Sequence, residues 1–180
     1  MRIVVYCSAN NELPGEITEI ASALGRWIGE GGHSLVYGGV KAGLMHVTAQ
    51  AATDAGCQSI VGIVPEFFAH RADPLCTEVI LARDLNDRKA KLVEHGDVFV
   101  VLPGGLGTID EWISTLSHQV VAGSNCPILV VNYGGMYDAM AQQLVATATS
   151  QFSRSPLITS SVMVADSQEL IKKLNEINKL

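Results

Sequence analysis

The sequence predicts an α/β protein: a Rossmann-like, doubly wound parallel sheet with helices on both faces. Short apolar runs without polar alternation recur along the chain, the pattern of strands buried on both sides. Each run is followed by a stretch with apolar residues at helical spacing, almost from end to end. Two glycine clusters fall between such a strand and such a helix, where a doubly wound sheet gathers its ligand.

Residues 3–7 read as the first strand. Residues 14–30 carry Ile17, Ile20, Leu24 and Ile28 at helical spacing, and Gly31-Gly32 stops that helix. A second strand spans 34–37. A helix of small residues covers 43–55, with Leu44, Val47 and Ala51 on one face, and Gly56 closes it. The third strand, 59–64, ends at Pro65. Residues 66–76 are expected to be a loop, since they mix charges with Pro74 and show no period. A strand at 78–82 precedes a helix at 85–95, capped by Asp84 or Asn86. A strand at 98–102 leads through the second glycine cluster into a helix after Thr108, with its amphipathic part from Trp112 to Val121. A strand at 128–131, a helix at 137–149, a strand at 162–164 and a helix at 167–177 complete the chain.

One domain, 1–180, accommodates all of this, and no boundary or internal repeat interrupts it. The composition is 48% hydrophobic and 17% charged, which excludes a disordered chain. A net charge of −6 supplies no basic footprint for nucleic acid. No apolar run approaches the roughly 20 residues of a membrane span, and the amino-terminal run reads as a strand rather than a signal, so no membrane partner is expected. Cys7, Cys57, Cys76 and Cys126 form no CxxC pair, which suggests neither a zinc site nor a disulfide framework; Cys7, Cys57 and Cys126 lie beside apolar runs and read as buried thiols, and a cytoplasmic protein is expected. His33, His46, His70, His95 and His118 lack metal-like spacing, so no metal is expected. His46 reads as an ordinary polar helix position.

The chemistry concentrates around Pro103-Gly104-Gly105-Leu106-Gly107-Thr108-Ile109-Asp110-Glu111. Glycines after a strand let the backbone approach a ligand, and the first N–H groups of the following helix lack intrahelical partners, which suits phosphate. Glu111 stands about one turn beyond, within reach of a sugar attached to that phosphate. A plain βα turn capped by Thr108 would need the same residues. Tyr37-Gly38-Gly39-Val40-Lys41-Ala42-Gly43-Leu44-Met45 repeats the arrangement and aims at the same rim. Neither loop is GxGxxG, and GxxxxGK[ST] is absent, which excludes a P-loop NTPase. Arg88-Lys89 opens a helix, where the helix dipole disfavours cations, so an anion or carboxylate is expected nearby. Ser8, at the end of the first strand, lacks the setting of a nucleophile and suits hydrogen bonding to a ligand.

PGGLGTIDE fits the signature PGGxGTxxE without a mismatch. Together with Tyr37-Gly38-Gly39, Gly43-Leu44-Met45 and Arg88-Lys89, the chain resembles the LOG ("Lonely Guy") family of nucleoside 5′-monophosphate phosphoribohydrolases, long mislabelled lysine decarboxylases. The resemblance implies a homodimer that cleaves the N-glycosidic bond of AMP or an N6-modified cytokinin nucleotide to free base and ribose 5-phosphate, with no cofactor. It implies Arg88 and Glu111 as the catalytic pair. Gly104, Gly105, Leu106, Gly107 and Thr108 would bind phosphate, with Lys89 beside them, and Gly39, Gly43 and Met45 would line the nucleotide pocket with Ser8 at its edge. The chemistry agrees: an oxocarbenium-like transition state calls for a carboxylate, and Arg88 is expected to hold Glu111 ionised by lowering its pKa. The chain departs from the family pattern at Cys7, Val40, His46, Leu85-Asn86 and Ser117-His118-Gln119-Val120. A non-catalytic nucleotide-binding or sensing protein on the same fold is the alternative. A pyridoxal-dependent lysine decarboxylase is rejected, since such enzymes need a longer chain and no lysine stands in a recognisable cofactor context.

Overall fold

The computed structural model describes residues 1–153 and 155–179. Seven parallel strands form one sheet: β1 (Arg2–Tyr6), β2 (Ser34–Tyr37), β3 (Ile60–Pro65), β4 (Glu78–Ala82), β5 (Val98–Val101), β6 (Ile128–Val131) and β7 (Val162–Val164), in the order β4-β3-β2-β1-β5-β6-β7. The chain winds outward from β1 to β4, then returns to the other side of β1 as β5. The winding therefore reverses between β1 and β5, and a crevice opens there beyond their carboxyl ends. Val4 pairs with Val36 on one side and with Phe99 on the other, which fixes the register at the centre.

The helices are α1 (Gly15–Glu30), α2 (Gly43–Asp54), α3 (Leu85–Glu94), α4 (Leu106–Ala122), α5 (Asp138–Ala148) and α6 (Ser167–Ile177). Alternate residues of β1 serve opposite faces, as a period of two requires. Ile3 and Val5 pack with Leu24, Leu44 and Leu170 of α1, α2 and α6, whereas Val4 and Tyr6 pack with Leu92, Trp112 and Leu116 of α3 and α4. The small residues of α2 have a steric reason. A Cβ on Gly25 would collide with the Thr48 carbonyl and Ala51, and one on Gly29 with Ala52 and Ala55, so α1 and α2 meet almost backbone to backbone.

The expected elements are present, with most ends matched and the others, apart from the start of α4, shifted by one residue, and two readings need correction. The loop expected over 66–76 begins with a 3-10 segment, Glu66–Arg71. So short a run leaves no 3.6-residue period to read. The helix expected after Thr108 instead begins at Leu106, with Gly105 in the cap position (φ −90°, ψ −155°). Glycines at 105 and 107 mask a helix start, because their intrinsic propensity argues against one. Thr108 thus lies inside the first turn and is not the cap. Asp84, rather than Asn86, caps α3, accepting from the backbone N–H of Asn86 and Asp87.

Candidate active site

The crevice is a cavity of about 480 Å³ that spans the carboxyl ends of β5, β1, β2 and β3. At the β5 end, α4 presents its amino terminus with no side chain capping it. The leading N–H groups of α4 therefore remain available to an anion, aided by the helix dipole. Gly105, Gly107 and Thr108 line the cavity here. Gly104 sits just behind, where a Cβ would strike the Thr108 hydroxyl. Leu106 points outward and is 83% exposed.

Glu111 follows Thr108 and Gly107 at i+3 and i+4, so its side chain rises from the same helix face. It is buried, and its Oε1 accepts from Arg88 Nη1 at 2.5 Å. Arg88 Nε donates to the Ile63 carbonyl of β3 at 3.1 Å, so the guanidinium is pinned at both ends. This is the carboxylate that the cation at the head of α3 called for. Gly38 makes the arrangement possible, since a Cβ there would overlap Arg88 Nη2 and approach Met45 Sδ.

The electrostatics reverse one expectation. Burial pushes the Glu111 carboxyl above its ordinary value, and the opposing pull of Arg88 does not overcome it. Arg88 aims the carboxylate without lowering its pKa below the ordinary range. A carboxylate raised by burial suits proton exchange near neutrality better than an ordinary one. Cys7 also lines the cavity, but burial raises its pKa strongly, so it stands as a neutral thiol and not as a nucleophile.

Ser8 lies on the wall, its Oγ accepting from the Asn10 N–H at 3.1 Å, and Met45 lies opposite. Gly43 and Gly39 stand behind the wall. Gly43 has φ +49°, and a Cβ would fall 2.5 Å from the Ser8 carbonyl oxygen, so the second glycine loop packs directly on the turn after β1. Gly39 packs on Gly62 and Val64. Lys89 lies outside the cavity, where its Nζ pairs with both carboxylate oxygens of Asp110 at 3.0 and 2.9 Å. Of the expected site residues, the structure gathers Ser8, Met45, Arg88, Gly105, Gly107, Thr108 and Glu111 around one cavity.

The lining residues that were missed include Phe68 and Arg71, both on the 3-10 segment after β3. The signal was topological: this segment leaves the carboxyl end of a strand on the same rim as the glycine loops. It is tied down through Asp73. The Asp73 N–H donates to the Gly39 carbonyl at 2.7 Å, and its buried side chain meets His46 Nδ1 at 2.8 Å. His46 is therefore a partner of a buried carboxylate, not an ordinary polar helix position. Among the described residues, no cluster of His, Cys, Asp or Glu could hold a metal ion, and no helix is long and apolar enough to cross a membrane.

Fold and site together define a doubly wound α/β domain with a paired arginine and glutamate beside the uncapped, glycine-rich start of a helix. A family profile described as "Possible lysine decarboxylase" matches residues 45–174. A cytokinin riboside 5′-monophosphate phosphoribohydrolase of Rhodococcoides fascians is 34% identical, over 90% of this chain and 82% of that protein. A relative of the same name from Arabidopsis thaliana is 30% identical, over 97% of this chain and 82% of its own. The chain belongs to this family, the LOG family. Among solved structures, a molybdenum cofactor binding protein from Rippkaea orientalis superposes with a TM-score of 0.76 at 22% identity, covering 98% of this chain and 96% of its own. The molybdenum cofactor carrier protein of Chlamydomonas reinhardtii gives 0.72 at 21% identity, over 99% and 98%. At these identities the two structures establish the shared fold.

Proposed function

We propose that this protein is a phosphoribohydrolase that cleaves the N-glycosidic bond of a purine nucleoside 5′-monophosphate, AMP or an N6-modified cytokinin nucleotide among them. Relatives bearing that name support the reading. The observation that carries it is the Arg88–Glu111 pair, set one helical turn from the uncapped end of α4. Phosphate binding alone would not require a buried carboxylate at that distance.

In this reading the 5′-phosphate rests on the N–H groups of Gly105, Gly107 and Thr108. That anchor fixes the ribose against Glu111, so binding of the remote phosphate contributes to rate. As the bond from C1′ to the base nitrogen breaks, its electron pair leaves with the base and positive charge grows on the ribose. Glu111 stabilises that charge and accepts a proton from water as the water oxygen bonds to C1′. The departing base gains a proton, and ribose 5-phosphate remains. No cofactor enters this balance. The described cavity wall carries no lysine to form a Schiff base, which argues against the decarboxylase in the family description.

Incubation with AMP and N6-isopentenyl-AMP, followed by chromatography for free base, tests the assignment. Release of adenine or its prenylated form with stoichiometric ribose 5-phosphate is expected. Binding without release would favour a nucleotide sensor. We further infer a homodimer in the cytoplasm. Leu85 and Leu106, exposed on α3 and α4 beside the site, offer apolar surface for a second copy, and the four cysteines are free thiols. Light scattering that gives one chain per particle would contradict the dimer.

A further inference from the structure

The geometry points to Tyr137 as a positioning residue for the glycine turn that opens α4, its hydroxyl setting the curve on which the 5′-phosphate rests. This builds on the phosphoribohydrolase reading, which puts the phosphate at that turn. The reason lies in how the chain leaves the sheet. Tyr6 of β1 pairs with Val101 of β5, and the Leu102 N–H donates to the Tyr6 carbonyl at 2.8 Å. A parallel ladder that continued would next send the Ser8 N–H to the Leu102 carbonyl. It goes instead to the Pro103 carbonyl, one residue further on, at 3.2 Å. The turn has slipped by one residue against β1, and the Leu102 carbonyl has lost its place in the sheet.

A buried carbonyl so displaced needs another donor. Tyr137 supplies it: the buried Oη donates to the Leu102 carbonyl at 3.0 Å. Burial pushes this hydroxyl up to about 12, against the opposing effect of the Gly104 N–H beside it, so it stays a neutral donor near neutral pH. One hydroxyl thus meets the chain on both sides of Pro103. The ring is held in turn. The Tyr137 N–H donates to Asn132 Oδ1 at 2.8 Å, and Asn132 Nδ2 donates to Asp138 at 2.6 Å. Trp112 of α4 meets the ring edge-on, with centroids 5.5 Å apart. A phenylalanine would pack against Trp112 equally well, so what the hydroxyl adds is the shape of the turn. Tyr137 does not line the cavity. It acts through the N–H groups of Gly105, Gly107 and Thr108, which follow the turn it fixes.

The test compares the wild type, Tyr137→Phe and Asn132→Ala by the calorimetric Kd of ribose 5-phosphate, by KM and kcat for AMP, and by melting temperature. Tyr137→Phe should raise both Kd and KM by about 2- to 10-fold, the worth of one hydrogen bond. Its kcat should change less, because Arg88 and Glu111 keep their contact. Asn132→Ala frees the Tyr137 backbone without touching the glycine turn and should shift Kd and KM in the same direction. It decides the matter if Tyr137→Phe does not fold. A lower melting temperature with an unchanged Kd for ribose 5-phosphate overturns the inference, since the hydroxyl would then serve the fold alone. A fall in kcat with Kd and KM unchanged overturns it too. A wild type that binds ribose 5-phosphate but releases no base from AMP overturns the phosphoribohydrolase reading, and Kd still tests Tyr137. A wild type that binds no ribose 5-phosphate overturns both.

Discussion

Arg88 and Glu111 come from different helices, yet their side chains meet at 2.5 Å beneath the cavity, with Arg88 also held by the Ile63 carbonyl. The pair joins the start of α3 to the second turn of α4, and so couples two loops that leave opposite sides of β1. The contact fixes the orientation of the carboxylate. The carboxylate is buried, fixed in direction and lines the same cavity as the glycine-rich start of α4.

Glu111→Gln should separate binding from chemistry. The amide keeps the size of the side chain and one acceptor for Arg88, but it cannot take a proton from water or balance charge on the ribose. We expect kcat to fall by about 10²–10⁴-fold, the usual contribution of a positioned acid–base group, while nucleotide affinity by calorimetry changes little. An unimpaired rate would move the catalytic role elsewhere.

The raised pKa of Glu111 predicts opposite pH trends for rate and stability. Turnover needs the ionised form, so kcat should fall as pH drops through a midpoint above the ordinary glutamate value. Stability runs the other way. A carboxyl raised in the folded state binds its proton more tightly there than in the unfolded chain. Its favourable contribution is thus fully present below the unfolded value and is lost as pH rises through the folded one. The wild type should lose melting temperature relative to Glu111→Gln across that window. A kcat limb at or below the ordinary value would contradict the burial argument.

The fold was legible because its signals are local. Continuous apolar runs bounded by turn residues, such as Val98–Val101, mark strands covered on both faces, and Ile17, Ile20, Leu24 and Ile28 mark one stripe of α1. The glycine turn before α4 was legible because its glycines stand at fixed offsets between a strand and a helix. Phe68 and Arg71 were not, because their place in the cavity depends on how a short 3-10 segment is tied to Gly39 and His46, a contact between distant parts of the chain. The role of Lys89 shows the same limit. A lysine next to Arg88 looks like a phosphate ligand, but a helix turns successive residues about 100° apart, and Lys89 faces Asp110 instead. The net effect of burial on Glu111 was equally hidden, since spacing reveals the neighbouring cation and not the desolvation that outweighs it.

Gly38→Ala tests whether the glycine beside Arg88 serves the site or merely the turn. A Cβ at this position overlaps Arg88 Nη2 and crowds Met45 Sδ, both ends of flexible side chains. The fold should therefore survive while the guanidinium is displaced from Glu111, lowering kcat by about 10-fold or more with little change in melting temperature. Gly43→Ala provides the contrast. Its φ of +49° and the Ser8 carbonyl leave no room to adjust, so it should destabilise the protein by more than about 1 kcal/mol. Equal effects of the two substitutions on melting would contradict this division.

His46 and Asp73 lead to the last expectation. Asp73 is fully buried at its side chain, where it meets His46 and accepts from the Leu75 N–H at 3.1 Å, and its backbone holds Gly39. His46→Ala would leave that carboxylate short of one partner without touching the cavity wall. The loss of a buried hydrogen bond to a charged group costs about 1.5–3 kcal/mol, read as a lower midpoint in chemical denaturation. Because Asp73 anchors the segment that carries Phe68 and Arg71, KM should rise several-fold while kcat at saturation, set by Arg88 and Glu111, changes less. His46→Asn retains a polar partner of similar reach and should restore part of both. A variant that loses stability with no change in KM would show that the anchor supports the fold and not the wall of the site.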